Sequence, residues 1–197
     1  MARTTDPKVH SAILGAARMV FQQKGYADAR MADIAAVANV AVGTIYLYFR
    51  TKEALVVALA DDFHRRLLQD AMPMLRQGDF ATALALSLHT ALHIIHEHRD
   101  LLAMVYLQLG LAAFGEPSAI EAQVTQALTT ALSERIARGE ARGFDAEKAA
   151  LLIIGLVERA ALIHALDGEA SLPRLEETLV RFVQHALIPD HSDAQPV

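Results

Sequence analysis

The stretch from Met31 to Lys52 constrains this chain more than any other. Ile34, Ala35 and Ala38 give a short packing stripe, and Asn39 can adopt the left-handed conformation of a tight turn, so a break is expected near Asn39 and Val40. Beyond it, Val42, Ile45 and Phe49 stand at i, i+3 and i+7 and can face inward, leaving Gly43, Thr44, Leu47 and Tyr48 outward. Two short helices joined by a turn, the second showing small, hydroxyl and aromatic side chains close to Lys52, suit a DNA groove and its phosphates.

Several residues at fixed offsets carry a family resemblance over the first 55 or so positions. They are Ile13-Leu14, Ala16-Ala17, Phe21, Gly25-Tyr26, Asp33-Ile34-Ala35, Gly43-Thr44-Ile45-Tyr46, Tyr48-Phe49 and Lys52-Glu53-Ala54-Leu55. This segment resembles the N-terminal domain of TetR-type transcriptional regulators. The family usually has Thr or Ser near positions 29 and 30, Gly at position 39 and Ser at position 41. This chain has Ala29-Arg30, Asn39 and Ala41 instead. Hydroxyl caps and phosphate contacts are lost there, and Arg30 is the expected substitute.

The net charge of -5 fits a DNA binder only when it is divided by region. Residues 1–55 hold seven Lys or Arg against four Asp or Glu, which is +3 and leaves -8 for the remainder. A basic end on an acidic body matches phosphate neutralisation, although chance variation in surface charge would give the same split. No cysteine is present, which excludes disulfides and thiolate metal sites and is compatible with the cytoplasm. The start lacks the apolar core of a signal peptide. The longest apolar run, Ala149 to Val157, is far short of the roughly 20 residues of a membrane span, so a soluble protein without membrane attachment is expected.

The remainder shows helical periodicity throughout, and the expected fold is all-α. Asp6-Pro7 should start a helix ending near Lys24-Gly25, and a long helix should run from Lys52 to about Met72, where Pro73 interrupts it. Asp79 should cap a helix from Phe80 to His98, and Asp100 one from Leu101 to about Leu109, followed by a loop from Gly110 to Glu116. Pro117 should open a helix to about Ala141, Asp145 one to about Leu166, and Pro173 the last, ended by Pro189. The domains expected are 1–55 for DNA binding, 56–189 for effector binding and dimerisation, and 190–197 as a frayed tail.

The helix after Asp145 is apolar almost all round, with Gly155 in its middle, so it must be covered on more than one side. The last helix carries a one-sided stripe at Leu175, Leu179, Phe182, Val183 and Ala186. The resemblance implies that these two helices pair with their mates in a four-helix dimer interface, giving Gly155, Leu175, Leu179, Phe182 and Val183 as interface residues. A purely intramolecular core is the plainer alternative.

His89, His93 and His96 share one face of a helix, opposite the stripe of Leu84, Leu88, Ala91 and Ile95, at about 100° per residue. Such a face can be solvated, contact an effector, or hold a metal through an i and i+4 pair. His164 and His185 are too distant in sequence to count with them. No metal and no cofactor are called for. Catalytic readings fare poorly: there is no phosphate-binding glycine loop and no Gly-x-Ser-x-Gly elbow, and His96-Glu97-His98 lacks the spacing of His-Glu-x-x-His. Asp61-Asp62 and Glu176-Glu177 point to different helix faces and look like solvated charge.

The reading that results is a ligand-responsive transcriptional regulator, a repressor rather than an activator, that binds a palindromic operator as a homodimer. Arg30, Tyr46, Tyr48 and Lys52 are expected on phosphates, and Val42, Thr44 and Leu47 on base edges, with Gly43 on the same face. The resemblance implies an effector in the larger domain. Leu88, His89, Leu92, His93, Tyr106 and Phe114 are its candidate contacts, and the scarcity of Lys and Arg there favours an apolar molecule. The rivals are a constitutive DNA-binding protein without an effector and a metal-dependent helical enzyme using the His89/His93/His96 face.

Overall fold

The computed structural model describes residues 6–104, 118–167 and 172–189 of the 197-residue chain. Tyr106, Phe114, the 110–116 loop and the 190–197 tail lie outside the described residues. Among the described residues every element is helical and there is no strand: α1 Pro7–Asp28, α2 Met31–Val37, α3 Val42–Tyr48, α4 Lys52–Arg66, α5 Phe80–Glu97, α6 Arg99–Met104, α7 Ala119–Ala137, α8 Ala146–Asp167 and α9 Leu172–Leu187. No single helix among them is long and apolar enough to cross a membrane.

The chain divides into two compact units, the first holding the described residues 6–62 and 100–104, the second 63–99 and those from 118 on. The division falls inside α4, seven residues later than the expected boundary at position 55. The first unit also takes in α6 from Asp100 on.

In the first unit the Asp6 carboxylate accepts from the Lys8 amide at 2.8 Å, and Pro7 opens α1. Gly25 breaks α1 at φ 74°, and the chain then turns into Ala29. The core comes from residues that the period of 3.6 places inward: Ile13, Ala17, Ile34, Ile45, Phe49 and Leu55, joined by Leu101 of α6. Burying such side chains contributes about 1.5–3 kcal/mol each.

Past the division, the end of α4 does not run unbroken to Pro73. It widens into a π-helical turn at Leu67–Ala71 and then tightens to a 3₁₀ segment at Met72–Arg76, because Pro73 lacks the amide an α-helix would need. Asp79 caps α5 by accepting from the Thr82 amide at 3.0 Å, and Ser118 and Glu121 form a reciprocal capping box at α7. α5 packs on the π and 3₁₀ turns, α8 and α9, while α7 packs on α8.

Candidate nucleic-acid interface

The reading helix is held from behind. Ile45 and Phe49 sink into the core of the first unit, while Val42, Gly43, Tyr46 and Leu47 are exposed and Thr44 is half-buried. Val42 was expected to face inward, but the turn at Asn39 rolls α3 so that only Ile45 and Phe49 reach the core. The exposed face is small near its start and aromatic or aliphatic further along, which fits a groove floor of base edges and thymine methyls.

The turn has identifiable chemistry. Asn39 takes φ 54°, the Val40 amide donates back to the Ala35 carbonyl at 3.0 Å, and the Asn39 amide to Ala36 at 3.3 Å. These paired bonds are the Schellman closure that ends α2, with Asn where a glycine would be usual. At the start of α2 no side chain of residue 30 caps the helix. The Asp33 carboxylate instead accepts from the Arg30 amide at 3.1 Å and pairs with Lys24 at 2.9 Å. The Lys24 ammonium and then the Arg30 amide hold the Asp33 carboxyl below its ordinary 3.8. Arg30 itself stays exposed, and so does Arg50 just beyond Phe49, a second cation that sequence reasoning counted in the charge balance without placing.

Two of the residues expected on phosphates are engaged elsewhere. The Tyr48 hydroxyl accepts from the Asp6 amide at 2.9 Å and its ring leans on His10, so it ties the end of α3 to the start of α1. The Lys52 ammonium donates to the carbonyls of Tyr26 at 2.6 Å and Ala27 at 3.2 Å, and stands 4.5 Å above the Tyr26 ring. These acceptors were invisible in the sequence because the end of α1 lies 25 residues away.

The expected effector residues do not converge. Leu88 and Leu92 are packed in the core of the second unit, whereas His89 and His93 lie on the opposite, exposed face of α5. His89 pairs with Glu176 of α9, so Glu176 is not merely solvated charge, and His93 pairs with Glu97 at 3.4 Å. His96 separates from both. Its Nδ1 stands 3.0 Å from Nε2 of His164 on α8, and His164 is fully buried. Dismissing His164 on sequence distance was therefore mistaken: 68 residues of separation close when α8 packs on α5. Among the described residues no group of three or more His, Asp or Glu is placed to hold a metal ion.

On α8 and α9 the sequence periodicity is split between two uses. Leu179 and Val183, expected at an interface, face inward within the chain, and Leu175 is half-buried. The bare face consists of Leu152, 70% exposed, with Leu156, Phe144 and Phe182, the last 61% exposed. They line an apolar groove of about 440 Å³, and a Cβ at Gly155 would meet only open space.

A core-anchored three-helix head with an outward second helix after a tight turn, followed by a larger all-helical unit, defines a helix-turn-helix transcription regulator. Residues 13–59 match the family described as bacterial regulatory proteins, tetR family. The chain is 31% identical over 164 residues to the HTH-type transcriptional regulator YvdT of Bacillus subtilis, covering 82% of this chain and 84% of that one. It is 24% identical over 193 residues to YdgC of the same organism, covering 93% and 94%. A TetR-family regulator from Pectobacterium atrosepticum shares the fold with a TM-score of 0.76 at 22% identity, covering 96% of this chain and all of that one. The regulator FadR from Bacillus subtilis, solved with stearoyl-CoA, does so at 0.68 and 23%, covering 88% and 97%. The chain belongs to the TetR family: it is a DNA-binding transcriptional regulator and not an enzyme.

Proposed function

We propose that the protein is a cytoplasmic repressor that binds a palindromic operator as a homodimer and lets go when a small, largely apolar molecule enters the second unit. The observation that carries the DNA side is the exposed face of α3 over a fully buried Ile45. On that face Val42, Thr44 and Leu47 read base edges, Gly43 allows close approach, and Tyr46, Arg30 and Arg50 meet phosphates. The bare apolar face of α8 and α9 supports the homodimer, since an exposed apolar groove of that size is costly in water and a two-fold axis would cover it with its own copy.

Support for an effector is chemical. The His96–His164 pair is a polar feature among the apolar side chains of α5 and α8, the combination of one polar handle and a greasy wall that small-molecule sites use. It takes the place of His89 and His93, which face away. FadR from Bacillus subtilis holds stearoyl-CoA, which makes long-chain acyl compounds the first class to try here. The test is a gel shift with DNA from upstream of the chain's own gene, followed by competition with fatty acids and acyl-CoA thioesters. Release by an acyl compound is expected. A shift that no small molecule reverses would favour the constitutive binder instead.

A further inference from the structure

His96 stands in the last turn of α5 and His164 in the last turn of α8. The packing of the two helices brings Nδ1 of the first to 3.0 Å from Nε2 of the second, with ring centroids 5.2 Å apart. His164 is wholly buried and His96 half-buried, so solvent reaches the pair from one end. One turn earlier stand Leu92 on α5 and Ala160 and Ala161 on α8, all buried. Among the described residues His96 bonds only to His164. One N–H must lie between the facing nitrogens, because two would clash and none would set lone pair against lone pair. A neutral pair therefore has one further N–H to offer. After taking up a proton it has two, with a single positive charge shared by both rings.

We infer that this pair receives the head of a free fatty acid: the carboxylate accepts an N–H from the solvent-reached ring of His96, and the acid binds together with one proton taken from solvent. The inference rests on the effector reading above and decides between its two acyl classes. A carboxylate entering an apolar site by itself would be buried without a counter-charge. The proton supplies one, so the transfer into the site is neutral overall.

A CoA thioester differs on both counts. Its carbonyl is uncharged and asks for a single N–H, which the neutral pair already offers, and its phosphates need cations around the site. The chain beyond residue 55 carries -8. Arginines of the second unit are matched with carboxylates, Arg66 with Glu97 and Asp70, Arg135 with Glu140 and Arg181 with Glu177. Other histidines on α5 and its cap are engaged as well: His93 with Glu97, His89 with Glu176 of α9, and His98 with the Ile94 carbonyl at 2.8 Å. Glu158, six residues before His164 on α8, is the competing proton acceptor, since desolvation and then Glu121 of α7 push its carboxyl up.

The experiment titrates the full chain with decanoate, decanol and decanoyl-CoA in a calorimeter at about pH 8, above the ordinary imidazole value of about 6.5. Two buffers of different ionisation heat report the protons taken up. The expected result is uptake of about one proton per chain with decanoate and none with the other two. Decanoate should bind about tenfold or more tightly than decanol, and its affinity should fall by up to about tenfold per pH unit as pH rises. His96→Gln keeps a hydrogen-bonding head but cannot carry the proton, so it should abolish the uptake and bring decanoate down to the level of decanol. His164→Gln should do the same where circular dichroism shows that it folds, and the half-buried His96 carries the test where it does not. Glu158→Gln should leave the uptake unchanged. Decanoate binding without proton uptake, or uptake that survives His96→Gln, would overturn the inference. Release of a selected operator duplex by decanoyl-CoA or decanol, with no preference for decanoate, would overturn the acid head and leave the effector reading standing. A chain that binds none of the three would overturn both.

Discussion

Arg135 shows how much can hang on one buried charge. Its guanidinium, almost wholly buried on α7, donates to the Leu75 carbonyl at 2.9 and 3.1 Å, to Gln77 at 3.2 Å and to Gly78 at 3.0 Å, and pairs with Glu140. It closes the carbonyl end of the 3₁₀ segment, and Gly139 at φ 71° folds Glu140 back to meet it. Removing one partner of such a buried set strands the others, so Arg135→Ala should cost about 3–5 kcal/mol, read as a lower urea midpoint. Nothing in the sequence marked Arg135 out: it looks like any arginine near the end of a helix, and its acceptors lie about sixty residues upstream. Tyr26 and Glu53 make the second prediction at this scale. Glu53 is held below its ordinary 4.5, first by the Tyr26 hydroxyl, so its contribution is complete above that value and fades as pH falls through the lower folded value. Tyr26 is raised from 10.0 to about 12, so its contribution is complete below 10.0 and fades as pH rises through 12. Glu53→Gln should therefore flatten the acid limb of the stability–pH curve and leave the neutral plateau lower. An unchanged acid limb would mean that the bond is not made in solution.

Elements were legible where their signals are local. Asp6 and Asp79 cap the helices they precede because a carboxylate two or three residues from an unpaired amide needs no tertiary help, and Asn39 turns the chain because few other residues tolerate positive φ. The turn gives the third prediction. Asn39→Gly should be neutral or slightly stabilising, whereas Asn39→Val should cost about 1–2 kcal/mol and loosen α3 against the core, seen as a lower melting temperature. Equal melting temperatures for the two variants would contradict the Schellman closure. The orientation of side chains on α3 was less legible. The seven-residue α3 buries only Ile45, with Phe49 following as its C-cap, and its roll is set by the preceding turn, so Val42 fell outward although its spacing fits an inward stripe. Likewise the widening of α4 at Leu67–Ala71 depends on what α5 packs against, which no local pattern records.

At the scale of the whole molecule the sequence announced an excess of apolar surface on α8 and α9 without saying which side of each helix would spend it inside. Leu179, Val183, Ile153 and Ala150 close the core of the second unit, and Leu152, Leu156 and Phe182 remain outside around Gly155. If a second copy covers that face, a charge placed there must be buried unpaired, or the pair must part. Phe182→Glu and Leu152→Lys, at positions exposed in the chain itself, should leave helicity and melting of the single chain nearly unchanged. Each should convert a dimer to a monomer in sedimentation velocity at micromolar concentration. Because two heads must enter grooves about 34–36 Å apart on one duplex, the monomer should also lose operator affinity far more than non-specific affinity. Leu179→Glu supplies the contrast: it puts a carboxylate into the core and should unfold the unit instead of splitting the pair. A wild-type chain that sediments as a monomer, or a Phe182→Glu variant that stays dimeric, would move the interface off this face.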